Sequence, residues 1–319
     1  MAVLPTGTEI EEAAEVVYRF MPPTPQYRWP LLEARAGRPV WVKHENHTPV
    51  GAFKVRGGLV FFDELSRAGT KPTGAVCATR GNHGQSVAFA AHHFGVPVTI
   101  VVPRGNSIEK NAAMRALGAR LVEHGDDFQA SLERAIEIAR DEELLFVPSF
   151  HPALVRGVAT AAMELLRGAD PLDVLYVPIG LGSGICGALA ARDAFGAETE
   201  IVGVVAENAP AIAQSLESGT LVSAPSTTLA DGMSCRTPNA DAFATLMHYR
   251  PRMVLVSDAE IAKAARLIFT DTHNVAEGAG AAGLAALLGD PQRERYRTAG
   301  FMLSGGNVDA DLFQTFLSS

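Results

Sequence analysis

The feature that most constrains this chain is a repeated alternation of short apolar runs, typical of strands, with longer amphipathic runs, typical of helices. The predicted elements, in chain order, are the strand Gly74–Thr79, the helix His83–Phe94, the strand Pro97–Pro103, the helix Ser107–Leu117, the strand Arg120–His124, the helix Asp127–Glu142, the strand Val174–Pro178, the helix Ile185–Phe195 and the strand Glu200–Ala206. This order predicts an α/β fold with mostly parallel strands, in which right-handed crossovers place helices on both faces of a sheet.

Composition limits the class of protein and its partners. Of the 319 residues, 47% are hydrophobic and 19% charged, which predicts a sizeable core and argues against disorder. A net charge of −8 argues against nucleic-acid binding, and no apolar run is long enough to predict a membrane span. Cys77, Cys186 and Cys235 lack metal-ligand spacing, and Met1–Glu15 lacks a signal-peptide pattern. We therefore expect a cytoplasmic protein with reduced thiols, whose acidity does not bar an anionic small substrate.

A glycine-rich segment joins the predicted strand Val174–Pro178 to a helix expected to begin near Ile185. Glycines let the backbone approach an anion closely, and the unpaired N–H groups of a helix N-terminus attract one. A phosphate-binding loop is therefore predicted here, and a tight turn without a ligand is the alternative. The loop consists of Gly180, Leu181, Gly182, Ser183 and Gly184.

A dinucleotide site is a second interpretation of the same loop. The glycines between Gly182 and Gly187 have the spacing of a dinucleotide fingerprint, and Glu207 follows where a ribose-binding acid is expected. This pattern alone would indicate an NAD-dependent dehydrogenase. Against that interpretation, the glycine loop already begins at Gly180, and a dehydrogenase would leave Lys54 and Ser304 without a role.

Lys54 lies in the glycine-flanked run Gly51–Gly58, directly after Phe53. An isolated lysine is usually a solvated surface residue. An amine that is desolvated against an aromatic ring has a lowered pKa and is a better nucleophile. Lys54 is therefore a candidate for forming a Schiff base.

The segment Thr79–Gln85 also follows a predicted strand and opens a helix, so its amides favour an anion, here a carboxylate. Asn82 offers an amide donor suited to a phenolate oxygen. His83 is a candidate general base, and the alternative is a packing role at the helix start. The candidate substrate-binding residues are Thr79, Arg80, Gly81, Asn82 and His83.

The run Ser304–Asn307 adds a hydroxyl to these parts. An amine, a phosphate cradle, an anion-binding loop and a hydroxyl are what a protein needs to hold pyridoxal 5′-phosphate. That cofactor supports chemistry at the α-carbon of an amino acid. We therefore predict a pyridoxal-phosphate enzyme.

The same segments, in the same order, resemble the serine/threonine dehydratase and serine racemase family. The resemblance rests on Phe53–Gly57, Gly81–His83, Gly180–Gly184 and Leu303–Asn307, and it extends from about Pro22 to the C-terminus. It implies the two-lobed architecture of the tryptophan-synthase β-subunit, PLP fold type II, with the cofactor in the cleft between lobes. The implied large lobe comprises residues 1–73 and 151–319, and the implied small inserted lobe comprises residues 74–150. We also expect a homodimer.

The resemblance implies a role for each matching residue. Lys54 would bind the cofactor aldehyde and later remove the α-proton, and Phe53 would lie near the pyridine ring. Asn82 would bond the 3′ oxygen, Glu277 would lie near the cofactor, and Ser304 would face the pyridine nitrogen. A hydroxyl there does not stabilise a pyridinium as a carboxylate does, so the ring is a weaker electron sink. This suits β-elimination, in which the leaving group accepts the electrons.

Two departures from the family pattern affect binding and reaction type. Leu181 and Ser183 stand where the phosphate loop usually has glycine, and the Ser183 hydroxyl can still donate to an anion. Arg80 stands where racemases have a serine that acts on the second face. Arginine stays protonated and is a poor base, which argues against racemisation. Arg80 would either bind an acidic group of the substrate or turn outward to pair with a surface acid.

Two further departures concern a metal site and the substrate pocket. Glu207 matches the first carboxylate of the family's divalent-metal site, but Ala213 stands at the second. One carboxylate holds such an ion weakly, so we expect no metal requirement. Phe150 and His151 replace polar residues that are usual after the small lobe, and we expect them to alter the substrate pocket.

Together these inferences predict a carbon–oxygen lyase that converts a β-hydroxy-α-amino acid to a 2-oxo acid and ammonia. Serine, threonine, 3-hydroxyaspartate and 3-phenylserine present the same reacting atoms, so the β-substituent stays open. The alternatives are an amino-acid racemase on the same fold, an NAD-dependent dehydrogenase and a non-catalytic amino-acid sensor.

Overall fold

A computed structural model describes residues 4–319, so the first three residues of the implied large lobe lie outside the described part. The described strands are β1 (Gln26–Arg28), β2 (Val40–His44), β3 (Ala75–Ala78), β4 (Val98–Val102), β5 (Arg120–Glu123), β6 (Leu145–Phe146), β7 (Val174–Pro178), β8 (Glu200–Ala206), β9 (Met253–Val256) and β10 (Ala299–Leu303). The described α-helices are α1 (Gly7–Tyr18), α2 (Pro30–Ala36), α3 (Lys54–Arg67), α4 (Asn82–His93), α5 (Ile108–Ala116), α6 (Phe128–Asp141), α7 (Pro152–Gly168), α8 (Ser183–Ala194), α9 (Ala211–Ser218), α10 (Ala240–Tyr249), α11 (Asp258–Thr272), α12 (Gly278–Gly289) and α13 (Ala310–Leu317).

These strands form two sheets. The six-stranded sheet has the order β1-β2-β10-β7-β8-β9, and the four-stranded sheet has the order β5-β4-β3-β6. Within the described residues, β1 and β2 pair antiparallel and every other strand pair is parallel. The predicted α/β fold with mostly parallel strands is therefore confirmed. The strands of the smaller sheet all come from the range predicted as an inserted lobe, and the exact division into lobes stays a prediction.

The predicted boundaries lie within two residues of the observed ones. The largest correction concerns α8, which begins at Ser183 rather than near Ile185. Its N-cap residue, Gly182, is left-handed with φ of 101°, a conformation that favours glycine. This turn starts the helix early, so Ser183 and Gly184 lie in the first helical turn.

Alternate residues of the central strands face two different cores. In β7, Val174 and Tyr176 belong to one core, and Leu175 and Val177 belong to the core on the opposite face. A strand that is buried on both faces has no solvent-facing side on which polar residues would alternate with apolar ones. This explains the uninterrupted apolar runs from which the strands were predicted.

The helices α3 and α7 pack with their backbones in direct contact. A Cβ at Gly57 would lie 2.8 Å from the carbonyl oxygen of Leu154, and a Cβ at Gly157 would overlap the backbone of Arg56. The close approach therefore requires glycine on both helices. It fixes the position of α3, whose first residue is Lys54.

A buried ionic cluster, formed by Lys43, Glu45, Arg56 and Glu164, lies against the first turn of α3. Arg56 is fully buried and donates two hydrogen bonds to Glu45, at 2.7 and 2.9 Å, and two to Glu164, at 2.6 and 2.8 Å. Lys43 donates a further bond of 2.6 Å to Glu164. Burial would raise the pKa of Glu164, but Arg56 and Lys43 outweigh burial and hold it below its usual value. Two cations and two carboxylates thus balance inside the protein.

Two segments have sequences typical of connections. Val147–Pro152 contains two prolines, which favours a crossing between lobes, and its first five residues join β6 to α7. Pro225–Pro238 is rich in Ser, Thr and Pro, which predicts a loop of a kind that is often functional, and it contains only the short 3-10 turn Asp231–Met233. Among residues 4–319, no helix is both long and apolar enough to cross a membrane.

Candidate active site

Three loops converge beyond the carboxyl ends of β3, β7 and β10, where ligands bind in open α/β sheets. Thr79 follows β3, Ile179 follows β7 and Ser304 follows β10. The start of α3 joins these three loops, because the Phe53 N–H donates a 3.0 Å hydrogen bond to the Ser304 carbonyl oxygen. The fold thus brings Lys54 to the edge where the three loops meet.

Ten of the predicted site residues line one cavity, which we call the lysine cavity. They are Phe53, Lys54, Thr79, Arg80, Gly81, Asn82, His83, Leu181, Glu277 and Ser304. The other four predicted residues are Gly180, Gly182, Ser183 and Gly184, which belong to the adjoining glycine-rich loop. The structure therefore gathers all the predicted site residues in one place, and their roles stay predictions.

The Lys54 amine lies between an aromatic ring and the glycine-rich loop. Its Nζ donates a 2.8 Å hydrogen bond to the Ser183 Oγ and lies 5.2 Å from the centre of the Phe53 ring. Burial lowers the pKa of Lys54 to about 8, although the nearby Cys235 acts in the opposite direction. The positive end of α3 also disfavours a cation at this position. Near neutral pH a useful fraction of this amine is therefore unprotonated and nucleophilic.

The glycine-rich loop has little room for side chains. A Cβ at Gly180 would overlap the carbonyl oxygen of Gly232, and a Cβ at Gly182 would lie 2.6 Å from the Ala242 Cβ. Beyond the left-handed Gly182, the first turn of α8 presents backbone amides that have no partner within the helix. Such a turn attracts an anion, as the sequence predicted.

A chain of polar contacts crosses the lysine cavity from Asn307 to Asp231. Asn82 accepts a 2.9 Å hydrogen bond from Asn307 and donates one of 2.5 Å to Glu277. Lys110 Nζ lies 3.4 Å from the Glu277 Oε2 and 3.3 Å from the Asp231 Oδ2. Burial raises the pKa of Glu277, although Lys110 and Asn82 act in the opposite direction. Burial opposes the charge on Lys110, but the two carboxylates outweigh it and raise its pKa.

Thr79 and His83 contribute differently from the predicted pattern. The Thr79 Oγ1 accepts hydrogen bonds from Gly81 N–H, at 2.9 Å, and from Gly84 N–H, at 3.2 Å. The hydroxyl therefore orders the loop and occupies two of the amides that were expected to bind a carboxylate. Burial lowers the pKa of His83 to about 3, and its Nε2 is buried without a partner among residues 4–319. His83 is thus a neutral group on the cavity wall.

Arg80 and Ser304 differ in their partners. The Arg80 guanidinium lies 3.4 Å from an oxygen of Asp231. It does pair with an acid, as one prediction held, but this acid lines the lysine cavity instead of the outer surface. The Ser304 hydroxyl makes no hydrogen bond to any other side chain in the described chain, although the residue is only 5% exposed. An unpaired hydroxyl in a buried wall is free to meet a ligand.

Sequence reasoning missed the three ionisable residues Lys110, Asp231 and Cys235, which also line the lysine cavity. Lys110 occurs in an ordinary helical pattern, where a lysine predicts a solvated face. Asp231 and Cys235 lie in the loop Pro225–Pro238, and only its Ser, Thr and Pro content marked it as a candidate functional segment. Their importance arises from contacts that are distant in sequence.

The two substitutions expected to alter the substrate pocket lie apart. Phe150 lines a second cavity beside the first. The His151 Nδ1 accepts a 3.2 Å hydrogen bond from the Ala153 N–H at the start of α7, and its ring packs on Phe61 at 5.1 Å. The expectation for His151 is therefore wrong, because its ring caps a helix and lies outside the linings of both cavities in the described chain.

The arrangement fits pyridoxal 5′-phosphate. The glycine-rich loop and the start of α8 can hold a phosphate, and Lys54 can reach an aldehyde from the same loop. Glu277 Oε2 is buried, and its partner in the described chain is the Lys110 amine at 3.4 Å. The Ser304 hydroxyl, in a residue that is 5% exposed, has no side-chain partner there. These groups surround the Lys54 amine, whose pKa burial lowers to about 8.

Comparison with known proteins establishes the family. Residues 17–305 match the family described as pyridoxal-phosphate dependent enzymes, so the chain belongs to that family. This confirms the predicted cofactor and rules out the NAD interpretation of the glycine-rich loop. It also agrees with the resemblance inferred from the sequence motifs.

Three relatives are similar over nearly the whole chain. An L-threonine ammonia-lyase of Thermotoga maritima is 33% identical and is covered over 78% of its length by 98% of this chain. An L-threo-3-hydroxyaspartate ammonia-lyase of a Pseudomonas species is 32% identical, with 97% of each chain covered. A serine racemase of Schizosaccharomyces pombe is 30% identical, with 99% of this chain and 98% of the relative covered. The chain spans only 55% and 56% of two longer threonine dehydratases.

A solved structure agrees on the fold. The processed form of threonine deaminase isoform 2 from Solanum lycopersicum superposes with a TM-score of 0.89 at 25% identity, covering all of this chain and 96% of that one. The predicted fold-type II architecture is thus confirmed. No group of three or more His, Cys, Asp or Glu side chains within residues 4–319 is placed to hold a metal. Independence from a metal, like the homodimer and the cytoplasmic location, stays a prediction.

Proposed function

We propose that this protein is a pyridoxal-phosphate-dependent ammonia-lyase that converts a β-hydroxy-α-amino acid to a 2-oxo acid and ammonia. The observation that carries the proposal is Lys54, whose amine has a pKa of about 8 and lies 2.8 Å from the glycine-rich loop. The relatives named as ammonia-lyases of threonine and 3-hydroxyaspartate support the same reaction class.

Pyridoxal phosphate, when bound, supplies an aldehyde that captures the substrate amine and a ring that withdraws electrons from its α-carbon. Lys54 is the group of this chain that takes the α-proton, because its neutral amine is a base near physiological pH. The Ser183 hydroxyl accepts a hydrogen bond from that amine and holds it at the loop. Ser304 would offer the cofactor a neutral hydroxyl, and a neutral partner would leave the ring a modest electron sink, which would favour departure of the β-hydroxyl.

The start of α4 is proposed to bind the substrate carboxylate. Thr79 holds the loop through two of its amides, which leaves the N–H groups of Asn82 and His83 at the helix N-terminus. The neutral His83 ring adds no charge beside the carboxylate. Arg80 is already paired with Asp231 and contributes long-range attraction more than a direct clamp.

The racemase alternative has support in the Schizosaccharomyces pombe relative. It requires a second acid or base on the face opposite Lys54. Arg80 stays protonated and pairs with Asp231, so it cannot take a proton there. Incubation with a single enantiomer of serine should give pyruvate and ammonia with little accumulation of the other enantiomer. Racemisation faster than 2-oxo acid release would favour the alternative.

A pH dependence follows from the lowered pKa of Lys54. In cofactor-free protein, the rate at which Lys54 reacts with pyridoxal 5′-phosphate should rise with pH and level off above about 8, because only the neutral amine attacks. Borohydride trapping at short times, followed by peptide mapping, measures this rate for Lys54 and for the exposed Lys71 in one sample. A Lys54 rate that keeps rising well above that pH would contradict the assigned burial.

Ser304 is expected to make an ordinary hydrogen bond to the cofactor. Ser304→Ala should weaken cofactor binding by about 1 kcal/mol, or roughly fivefold in the dissociation constant. Absorbance titration of cofactor-free protein measures the change. Ser318→Ala, at the C-terminal end of the chain, is the control and should leave the constant unaltered. A Ser304→Ala variant with native affinity would remove this hydroxyl from the cofactor site.

A further inference from the structure

We propose that the substrate carries a large apolar group, such as an aryl ring, on its β-carbon. The inference rests on the proposed function and names the substrate class of the same site. It begins from a second cavity of about 530 Å³, which we call the side cavity. That volume lies within the range of small-molecule binding sites.

The side cavity and the lysine cavity are neighbours with a common wall. The residues that line both are Arg80, Phe128, Ser149, Leu181, Ser234 and Cys235. A substrate whose α-carbon lies near Lys54 can therefore extend its β-substituent past these residues. A methyl group, as in threonine, would leave most of the additional volume to water.

The side cavity is largely apolar. Phe128, Leu132 and Phe146 are only partly buried, although they pack on a hydrophobic core of the smaller sheet, and Phe150 also lines the cavity. Ile136, on the same face of α6 as Leu132, keeps 50% of its surface exposed beside the cavity. An apolar group that covers these solvent-exposed side chains removes apolar surface from water, which favours binding of that group.

Charge argues against an acidic β-substituent. The two arginines in the wall already face carboxylates: Arg80 lies 3.4 Å from Asp231, and Arg236 donates a 2.7 Å hydrogen bond to Asp127. The other polar groups in the described wall are hydroxyls, amides and a thiol, which carry no positive charge. A carboxylate entering the side cavity would be desolvated without a free cation to pair with. An aryl or branched alkyl group has no such penalty.

The reaction with 3-phenylserine balances without a co-reactant. The α-proton and the β-hydroxyl leave as water, and one water then enters as the amino group departs. The products are phenylpyruvate and ammonia. No oxidant or reductant is required.

The first test is a substrate series with the wild-type holoenzyme, in which 2-oxo acid release is followed for serine, threonine, 3-hydroxyaspartate and 3-phenylserine. We expect kcat/KM for 3-phenylserine to exceed that for threonine by at least ~10-fold. A single additional methylene in an apolar pocket already changes kcat/KM by about 10- to 200-fold, and a phenyl ring fills more of the pocket. It should exceed the value for 3-hydroxyaspartate by a larger factor. Turnover of threonine with an equal or lower value for 3-phenylserine would overturn the inference and leave the proposed function standing.

The second test fills the side cavity. Leu132→Trp should lower the ratio of kcat/KM for 3-phenylserine to that for threonine by at least ~10-fold. Glu137→Trp adds the same ring on an exposed position of α6 and should leave that ratio unchanged. Leu132→Phe is a smaller change that serves if Leu132→Trp does not fold. A ratio that stays constant in a folded Leu132 variant would contradict a substituent in the side cavity.

A third measurement separates failure of the inference from failure of the proposed function. If no 2-oxo acid is released from any of the four amino acids, the elimination reaction is wrong. Binding still decides the substrate class, because each amino acid perturbs the cofactor absorbance when it enters the site. A lower concentration of 3-phenylserine than of threonine at half the spectral change would support the inference, and the reverse order would overturn it.

Discussion

Replacing Lys54 by alanine should lower 2-oxo acid release by a factor on the order of 10⁴ or more, because one amine is assigned both the cofactor bond and the α-proton. Each role alone contributes substantially, and both are lost at once. The variant should fold, since the Lys54 side chain faces a cavity and its contacts are a hydrogen bond to Ser183 and the Phe53 ring. Steady-state kinetics and thermal unfolding of purified protein measure the two quantities.

Lys71→Ala is the matched control, because Lys71 is an exposed lysine in the loop from α3 to β3 and no role is assigned to it. It should retain native turnover. A small primary amine added to Lys54→Ala should restore part of the activity if the missing group acts as a base. If Lys54→Ala keeps more than about a tenth of the native rate, another residue takes the proton and the assignment of Lys54 is wrong.

Much of the fold was predictable because most of its strands are buried on both faces. The runs at β3 and β7 are continuously apolar and short, and those at β4 and β8 are apolar except for Thr99 and the first residue, Glu200. The amphipathic helices between them indicate a parallel arrangement. The short β1, which pairs antiparallel at the sheet edge, has no such pattern. The order of the strands in the larger sheet could not be predicted from the sequence, because β10 is the last strand in the chain but lies between β2 and β7.

The candidate site was predictable where chemistry is concentrated in short motifs. Lys54, Asn82 and Ser304 occur in short glycine-rich segments, and such segments are typical of ligand-binding loops. The three residues line the same cavity in the folded protein. Lys110 and Asp231 were missed because their importance lies in a contact of 3.3 Å across about 120 residues. A single sequence does not reveal such a pair, since neither residue stands in an unusual local pattern.

Arg80 and Thr79 show how local partners change a role expected from sequence. A loop arginine near a substrate carboxylate was expected to bind it or to leave the site. The structure instead pairs Arg80 with an aspartate inside the cavity, and Thr79 uses its hydroxyl to order the loop. Both residues line the lysine cavity, and their contacts shape its wall. Under the proposed function, paired charges and apolar volume would therefore decide which substrates the site accepts.

Replacing Arg56 by methionine should destabilise the fold by about 3–5 kcal/mol, the range expected when one partner of a buried ion cluster is removed. Arg56 is fully buried, and its loss leaves Glu45 and Glu164 with only Lys43 as a counter-charge. The same helix carries Lys54, so turnover should fall together with stability. Urea unfolding measures the free energy, and Arg104→Met, which breaks an exposed pair with Asp126, should change it by less than about 1 kcal/mol.

Charge and packing are separated by a second substitution and by pH. Adding Glu45→Gln to Arg56→Met restores neutrality in the cluster and should recover a large part of the lost stability. In Arg56→Met alone, a buried carboxylate without its cation has a pKa above its unfolded value, so protonation stabilises the folded state. The deficit relative to wild type should therefore shrink as pH falls from about 8 towards about 5. A deficit that is independent of pH and not reduced by Glu45→Gln would mean that Arg56 stabilises α3 through packing alone.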